Sequence, residues 1–197
     1  MSDTAPAWAY AKPEIRPHDA RLIELAATEK DRLTVVLAPW LVDGVEHVGS
    51  TAVPRLAAKP VIDLMASVRD PDTVVEEAGE SLWADGWWYV PPELDSGASW
   101  RRFFVKPDES GQHRFAHLHV IAAGHHRWAD QLAFRDALRR DDELAGRYAD
   151  LKRRLAAEHA ADREAYTEAK GEFVRAVLGR DPRDSPELGP AHGATEN

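Results

Sequence analysis

The sequence of 197 residues contains no cysteine. This absence excludes disulfide bonds, iron–sulfur clusters and zinc sites with thiolate ligands, and it is compatible with a reducing compartment. No apolar run approaches the roughly 18 residues that a membrane span needs. Segment 1–20 lacks the apolar centre of a secretory signal because polar residues and three prolines interrupt it. We therefore expect a cytoplasmic protein with no membrane partner.

Positive charge is also scarce, since 25 Lys and Arg stand against 34 Asp and Glu and the formal net charge is −9. This balance argues against non-specific binding to duplex nucleic acid, although it leaves room for a local basic groove. A hydrophobic content of 44% is typical of a globular chain. The length suits one large domain or two small ones.

Hydrophobic periodicity predicts the order of the helices and strands. The elements expected are a helix over 17–38, strands over 45–48 and 60–67, a helix capped by Asp72 that ends near Gly86, a strand over 87–90, a hairpin of 100–106 with 114–122, and about three helices from Trp128 onward. This order predicts an α/β or α+β fold with a mixed sheet. We expect an N-terminal extension over 1–16, one domain over 17–179 with a helical lobe from about 126, and a disordered tail over 180–197.

A possible phosphate site follows the first predicted strand, in the segment from Glu46 to Thr51. A glycine at position 49 lets a ligand approach the backbone closely, and the hydroxyl groups of Ser50 and Thr51 with nearby N–H groups can bind a phosphate. The same residues also suit an ordinary turn with two capping hydroxyls. Spacing alone does not decide between these two interpretations.

Asp63 lies inside the apolar second strand. Alternation places Ile62 and Leu64 on one face of this strand and Asp63 with Met65 on the other. An unpaired carboxylate there would cost several kcal/mol, so a metal, a cation such as Lys59, or backbone donors should meet it. The alternatives are a functional acid and a structural ion pair.

Two histidines, His117 and His119, share one face of the strand predicted over 114–122, about 7 Å apart. Neighbouring imidazoles can bind a metal or phosphate, or act as acid and base, but they also occur as one buried and one exposed side chain. The preceding strand carries Arg101 and Arg102 on opposite faces, so it should bring a cation to the histidines. A phosphate would suit such an arginine.

The sequence resembles the GrpB family in several motifs that occur in the family's order. The matching segments are 46–54, 56–64, 102–104, 117–120, 132–136 and 162–170, within a region of roughly 10–178. Arg55 stands where the family usually has glycine, so the loop is expected to be less flexible. The resemblance implies the nucleotidyltransferase fold, and related domains occur fused behind dephospho-coenzyme A kinase.

The resemblance also implies roles for individual residues. Gly49, Ser50, Thr51 and Lys59 would position a triphosphate, and Asp63, with Glu46 in its vicinity, would supply catalytic carboxylates. Further nucleotide contacts are expected from Arg102, His117, His119, Arg135, Tyr166 and Lys170. A divalent metal, Mg²⁺ or Mn²⁺, would bind Asp63 with His117 or His119.

One departure from active nucleotidyltransferases concerns the metal. Their second acid lies two residues after the first, and Met65 occupies that position here. Two functions therefore remain open. The first is metal-dependent transfer of a nucleotidyl group to a small molecule or protein. The second is a non-catalytic module that binds a nucleotide, coenzyme A or another phosphorylated small molecule.

Overall fold

The computed structural model describes residues 6–10, 14–95, 98–158 and 163–179, and within them the chain forms five helices and five strands. The helices are α1 (Arg21–Val36), α2 (Pro71–Ala84), α3 (His126–Arg140), α4 (Asp142–Glu158) and α5 (Arg163–Val177). The strands are β1 (Leu41–Val48), β2 (Ile62–Val68), β3 (Trp88–Val90), β4 (Arg102–Pro107) and β5 (Arg114–Ala122). None of the described helices is both long and apolar enough to cross a membrane.

The strands form one mixed sheet in the order β1-β2-β5-β4-β3. The central pair, β2 and β5, is parallel, while the other three pairs are antiparallel. The predicted hairpin of β4 and β5 is therefore confirmed, as is the mixed sheet. Strand β1 begins at Leu41, earlier than predicted, because a bulge between Leu41 and Gly44 interrupts the alternation by which a strand is recognised.

The sheet buries a different set of side chains on each face. One face packs Leu64 and Leu118 against Leu33 of α1 and Leu82 of α2. The other face carries a smaller apolar cluster of Val48, Met65 and Ile121, which packs against Trp100 and against Trp128 and Leu132 of α3. Because side chains alternate along β2 and β5, the polar residues between the core positions point to the second face.

Helix α2 begins two residues earlier than the sequence indicated. Its N-cap is Asp70, whose side chain accepts the backbone N–H of Asp72 at 3.0 Å, and Pro71 occupies the first helical position. The predicted cap, Asp72, was wrong by two residues. It lies in the first turn, where its carboxylate pairs with Arg102 of β4.

The N-terminal segment contacts the sheet region at two points. Trp8 is buried with Phe103 and Val105, and Arg16 pairs with Ala58 through two backbone hydrogen bonds of 2.8 and 3.0 Å. The chain divides into two compact units, Met1–Asp150 and Leu151–Asn197. Helix α3 belongs to the first unit, and a lobe from about 126 stays a prediction. The predicted tail, 180–197, lies outside the described residues.

Candidate functional site

The loop after β1 passes directly over the carboxylate of β2. Gly49 adopts φ 72° and ψ −170°, a conformation that is essentially restricted to glycine. A Cβ atom at this position would lie 2.6 Å from Asp63 Oδ2, so the glycine is required by backbone conformation and by space. The register pairs Val48 with Asp63, which fixes this approach.

Asp63, His117 and His119 form one cluster on the same face of the sheet. His117 Nδ1 lies 3.0 Å from Asp63 Oδ1, and His119 Nε2 lies 3.6 Å from the same oxygen. The parallel pairing of β2 and β5 produces this convergence, because it pairs Asp63 with His117 and Met65 with His119. The side chain of Asp63 is 32% exposed, so a ligand from solvent can reach it.

The charges within this cluster are set by burial and by mutual contact. Burial would raise the pKa of Asp63, but hydrogen bonding to His117 and His119 outweighs it and holds the pKa well below its usual range. Burial lowers the pKa of His119 to about 4, and the charge of Arg101 acts in the same direction. At neutral pH the cluster therefore contains an ionised carboxylate and a neutral His119.

The cluster has the spacing of a site for one metal ion. One ligand atom from each residue can be chosen so that all three atoms lie within 4.8 Å of one another. Adjacent donors around a metal with bonds of about 2.1 Å lie roughly 3 Å apart, close to the 3.0 and 3.6 Å measured here. Met65, the position at which the resemblance places a second acid, is 1% exposed and supplies no oxygen ligand for a second Mg²⁺ ion.

Thr51 is part of the loop's internal structure. Its hydroxyl donates to the backbone carbonyl of Val61 at 3.2 Å, and it therefore accepts from His47 Nε2 at 3.0 Å. Burial lowers the pKa of His47 to about 4, so this ring is neutral. Ser50, beside Gly49, is half-buried and remains the hydroxyl predicted to contact phosphate.

Glu46 and Arg135, both predicted site residues, bind each other. Arg135 Nη1 donates to Glu46 Oε2 at 2.8 Å and to the carbonyl of His47 at 3.0 Å, while Lys30 lies 3.1 Å from Glu46 Oε1. Burial would raise the pKa of Glu46, but hydrogen bonds from Arg135 and Lys30 lower it. These contacts join α1 and α3 to β1, and the structure does not bring Glu46 into the Asp63 cluster.

The cation that β4 brings towards the histidines is Arg101, and Arg102 lies on the opposite face. Register pairs Arg102 with Val120, a core residue, and its guanidinium pairs with Asp72. Arg101 Nη1 lies 2.5 Å from His119 Nδ1. The nucleotide contact predicted for Arg102 is thus placed on the wrong face of the sheet.

The remaining predicted site residues are Lys59, Tyr166 and Lys170. Lys59 is exposed in the loop between β1 and β2, and Arg55, at the family's glycine position, has φ 64°, the left-handed conformation that glycine favours. Tyr166 and Lys170 belong to α5, where the side chain of Lys170 is half-buried. Their predicted contacts to a nucleotide stay predictions.

Three residues that contact the site or its loop were not among the predicted site residues. Asp95 binds Arg101 through two hydrogen bonds, Trp100 packs beside His119 with parallel rings 6.2 Å apart, and Arg139 Nε donates to the carbonyl of Ala52 at 2.9 Å. A signal existed for Arg139, which is four residues from Arg135 on the same helix face. Asp95 and Trp100 precede β4 in an irregular segment without a periodic signal.

Comparison with known proteins gives a consistent result. The model of the family described as GrpB protein matches residues 12–180. The UPF0157 protein YqkA of Bacillus subtilis is 34% identical over 164 residues, which are 83% of this chain and 46% of that protein. The UPF0157 protein PA4798 of Pseudomonas aeruginosa is 39% identical over 176 residues, covering 85% of this chain and 66% of that protein. The chain thus spans less than two thirds of the length of these two relatives.

Solved structures support the fold. The conserved protein GrpB from Enterococcus faecalis, 27% identical, superposes with a TM-score of 0.67 over 84% of this chain and 99% of that chain. The Cid1 poly(U) polymerase, in its complex with Mg 3'-dATP, gives a TM-score of 0.54 at 13% identity over 78% of this chain and 49% of that chain. At that identity the likeness is one of fold, and the fold is that of the nucleotidyltransferases.

Proposed function

The chain belongs to the GrpB family, and from this premise we propose that it binds a nucleotide, with the phosphates at the loop containing Gly49 and Ser50 and one divalent cation at Asp63, His117 and His119. The cation would neutralise phosphate charge. The observation that carries the proposal is the close approach of Gly49 to Asp63, since a Cβ atom added to Gly49 would lie 2.6 Å from Asp63 Oδ2. This approach supports the proposal because it brings the backbone of the loop after β1 beside the proposed cation ligands.

Binding without nucleotidyl transfer is the function that the geometry supports best. Two-metal transfer needs carboxylate oxygens that hold both ions. Here Met65 is buried at the second position, and Glu46 is bound to Arg135 and Lys30. A phosphate ligand needs only the loop, a single cation and nearby donors, and those features coexist on this face of the sheet.

Transfer with a single metal ion is the second candidate. The specific observation in its favour is the meeting of an ionised Asp63 with two imidazoles next to the phosphate loop. In that case the acceptor would be a small molecule or a protein. The two candidates differ in one product, because nucleotidyl transfer releases pyrophosphate and binding does not.

Calorimetry of the purified protein distinguishes the candidates. ATP, CTP, GTP, UTP and coenzyme A are titrated with and without Mg²⁺ or Mn²⁺, and pyrophosphate release is measured in parallel. We expect cation-dependent binding without pyrophosphate. Ser50→Ala should weaken binding, whereas Ser110→Ala, in the turn between β4 and β5, should not. If none of these ligands binds, the proposal is contradicted. Pyrophosphate release would favour the second candidate, nucleotidyl transfer.

A further inference from the structure

Arg101 is held in one orientation by a buried carboxylate. Its Nε and Nη2 atoms donate to the two oxygens of Asp95 at 2.8 and 2.7 Å, and the side chains of Arg101 and Asp95 are only 16% and 7% exposed. The guanidinium also lies 4.3 Å from the ring centre of Phe103. These contacts leave Nη1 directed at His119 Nδ1, 2.5 Å away.

This contact determines which nitrogen of His119 carries the proton. A guanidinium only donates hydrogen bonds, so Nδ1 of His119 must be the acceptor. A neutral imidazole with an accepting Nδ1 carries its hydrogen on Nε2. That N–H faces Asp63 Oδ1 at 3.6 Å, and it occupies the position at which a metal ligand needs a lone pair.

The usual surroundings of a metal-binding histidine are the reverse of these. A ligating imidazole donates its second N–H to a carboxylate, a carbonyl or water, and that acceptor keeps the lone pair on the metal side. His119 has a donor in this place. Nε2 can offer a lone pair to a cation only if the hydrogen is on Nδ1 instead. That tautomer requires Arg101 to move away from Nδ1.

We propose that Arg101, clamped by Asp95, locks the Asp63, His117 and His119 centre in a cation-free form, and that the centre binds a divalent cation when Arg101 releases His119. This inference rests on the cation centre of the proposed function. Arg101 is a positioning residue in this scheme, because it acts on the cation through the ring of His119. A replacement for Arg101 that accepts a hydrogen bond from His119 should therefore allow the centre to bind a cation.

Arg101→Gln makes this replacement, because the amide oxygen of glutamine can accept from Nδ1–H. The full chain is titrated with Co²⁺, followed by its visible absorption, and with Mn²⁺ by calorimetry, in the absence of nucleotide. We expect Arg101→Gln to bind Co²⁺ at least tenfold more tightly than the unaltered chain. The gain should vanish when His119→Ala is added.

Arg102→Gln is the matched control, since the neighbouring arginine lies on the opposite face of the sheet and pairs with Asp72. It should leave the cation affinity unchanged. Equal or weaker Co²⁺ binding by Arg101→Gln, or an equal gain from Arg102→Gln, would overturn the lock. Because nucleotide is absent, these results are independent of whether the protein binds nucleotides.

Two further measurements guard against a variant that does not fold. The double variant Asp95→Asn with Arg101→Gln removes the carboxylate that would otherwise be buried without its partner, and it should show the same gain. In the unaltered protein, ¹⁵N chemical shifts of the imidazole report which nitrogen is protonated. A proton on Nε2 of His119 is expected, and a proton on Nδ1 would refute the inference.

Discussion

Gly49→Ala tests the contact between the loop after β1 and the carboxylate of β2. Alanine must adopt φ 72° and ψ −170°, and its Cβ must lie 2.6 Å from Asp63 Oδ2 and 3.1 Å from Asp63 Cβ. The Cβ atom of Asp63 cannot retreat far, because Asp63 belongs to a strand paired on both sides. The carboxylate must rotate, and its hydrogen bond with His117 is then lost.

The expected loss of stability follows from these two effects. The backbone conformation costs about 1 to 3 kcal/mol for a residue with a side chain. Loss of a hydrogen bond to a charged group costs about 1.5 to 3 kcal/mol. We therefore expect Gly49→Ala to lower the free energy of unfolding by about 2.5 to 6 kcal/mol, measured by urea denaturation, and to abolish the proposed nucleotide binding.

Two other glycines provide matched controls. Gly44 has φ 96° but nothing within 4 Å of a Cβ position, so Gly44→Ala carries only the backbone cost. Gly79, inside α2, has the same open surroundings and no positive φ, so Gly79→Ala should stabilise by about 1 kcal/mol. Gly49→Ala should therefore exceed Gly44→Ala in cost.

The reasoning would be refuted if Gly49→Ala and Gly44→Ala destabilised the protein equally. A second measurement uses Asp63→Ala as the background, where Oδ2 is absent. There the extra cost of Gly49→Ala should shrink, although the Cβ atom of residue 63 still lies near. An unchanged extra cost would mean that the loop, rather than the carboxylate, resists the substitution.

Three shorter predictions concern Asp63, two buried histidines and Met65. Asp63→Asn should abolish cation-dependent ligand binding with little change in melting temperature, because the amide keeps an acceptor oxygen but not the charge; a large drop in melting temperature with ligand affinity retained would show a structural role. The pKa values of His47 and His119 are about 4, so between pH 6.5 and 4 the unfolded chain binds more protons than the folded chain. Stability should therefore fall as pH decreases through that range, by up to about 3 kcal/mol for each ring. His47→Gln should make the free energy of unfolding, measured by urea denaturation, depend less on pH, and an unchanged dependence would contradict this. Met65→Asp should lower the melting temperature in chelator and recover part of it in Mg²⁺, and no recovery would show that this position cannot serve a second cation.

The faces of β2 and β5 could be predicted because alternation is a local property. The sequence placed Asp63 and Met65 on one face of β2 and both histidines on one face of β5, and the structure has these arrangements. The meeting of the two faces followed from the family's fold. The mixed sheet was likewise predicted, and five strands are present among the described residues.

The choice between Arg101 and Arg102 could not be made locally. Arg101, directly before β4, and Arg102, its first residue, face opposite ways, but only the pairing of Phe103 with His119 decides which face of β4 meets the histidines. The ion pairs of Glu46 could not be predicted for a similar reason. Its partners, Lys30 and Arg135, come from helices far away in sequence, so their proximity is a property of tertiary packing.

The loop is held in place by the protein itself, and this bears on how it would bind phosphate. Gly49 packs against Asp63, Thr51 is hydrogen-bonded to His47 and Val61, and Arg139 of α3 binds the carbonyl of Ala52. A loop that is already ordered loses little conformational entropy when a ligand arrives. The adaptable part of the site is then the arrangement of protons around the carboxylate. Arg101 keeps the hydrogen of His119 on the nitrogen that faces Asp63, and both imidazoles contact the carboxylate oxygen that a cation would bind.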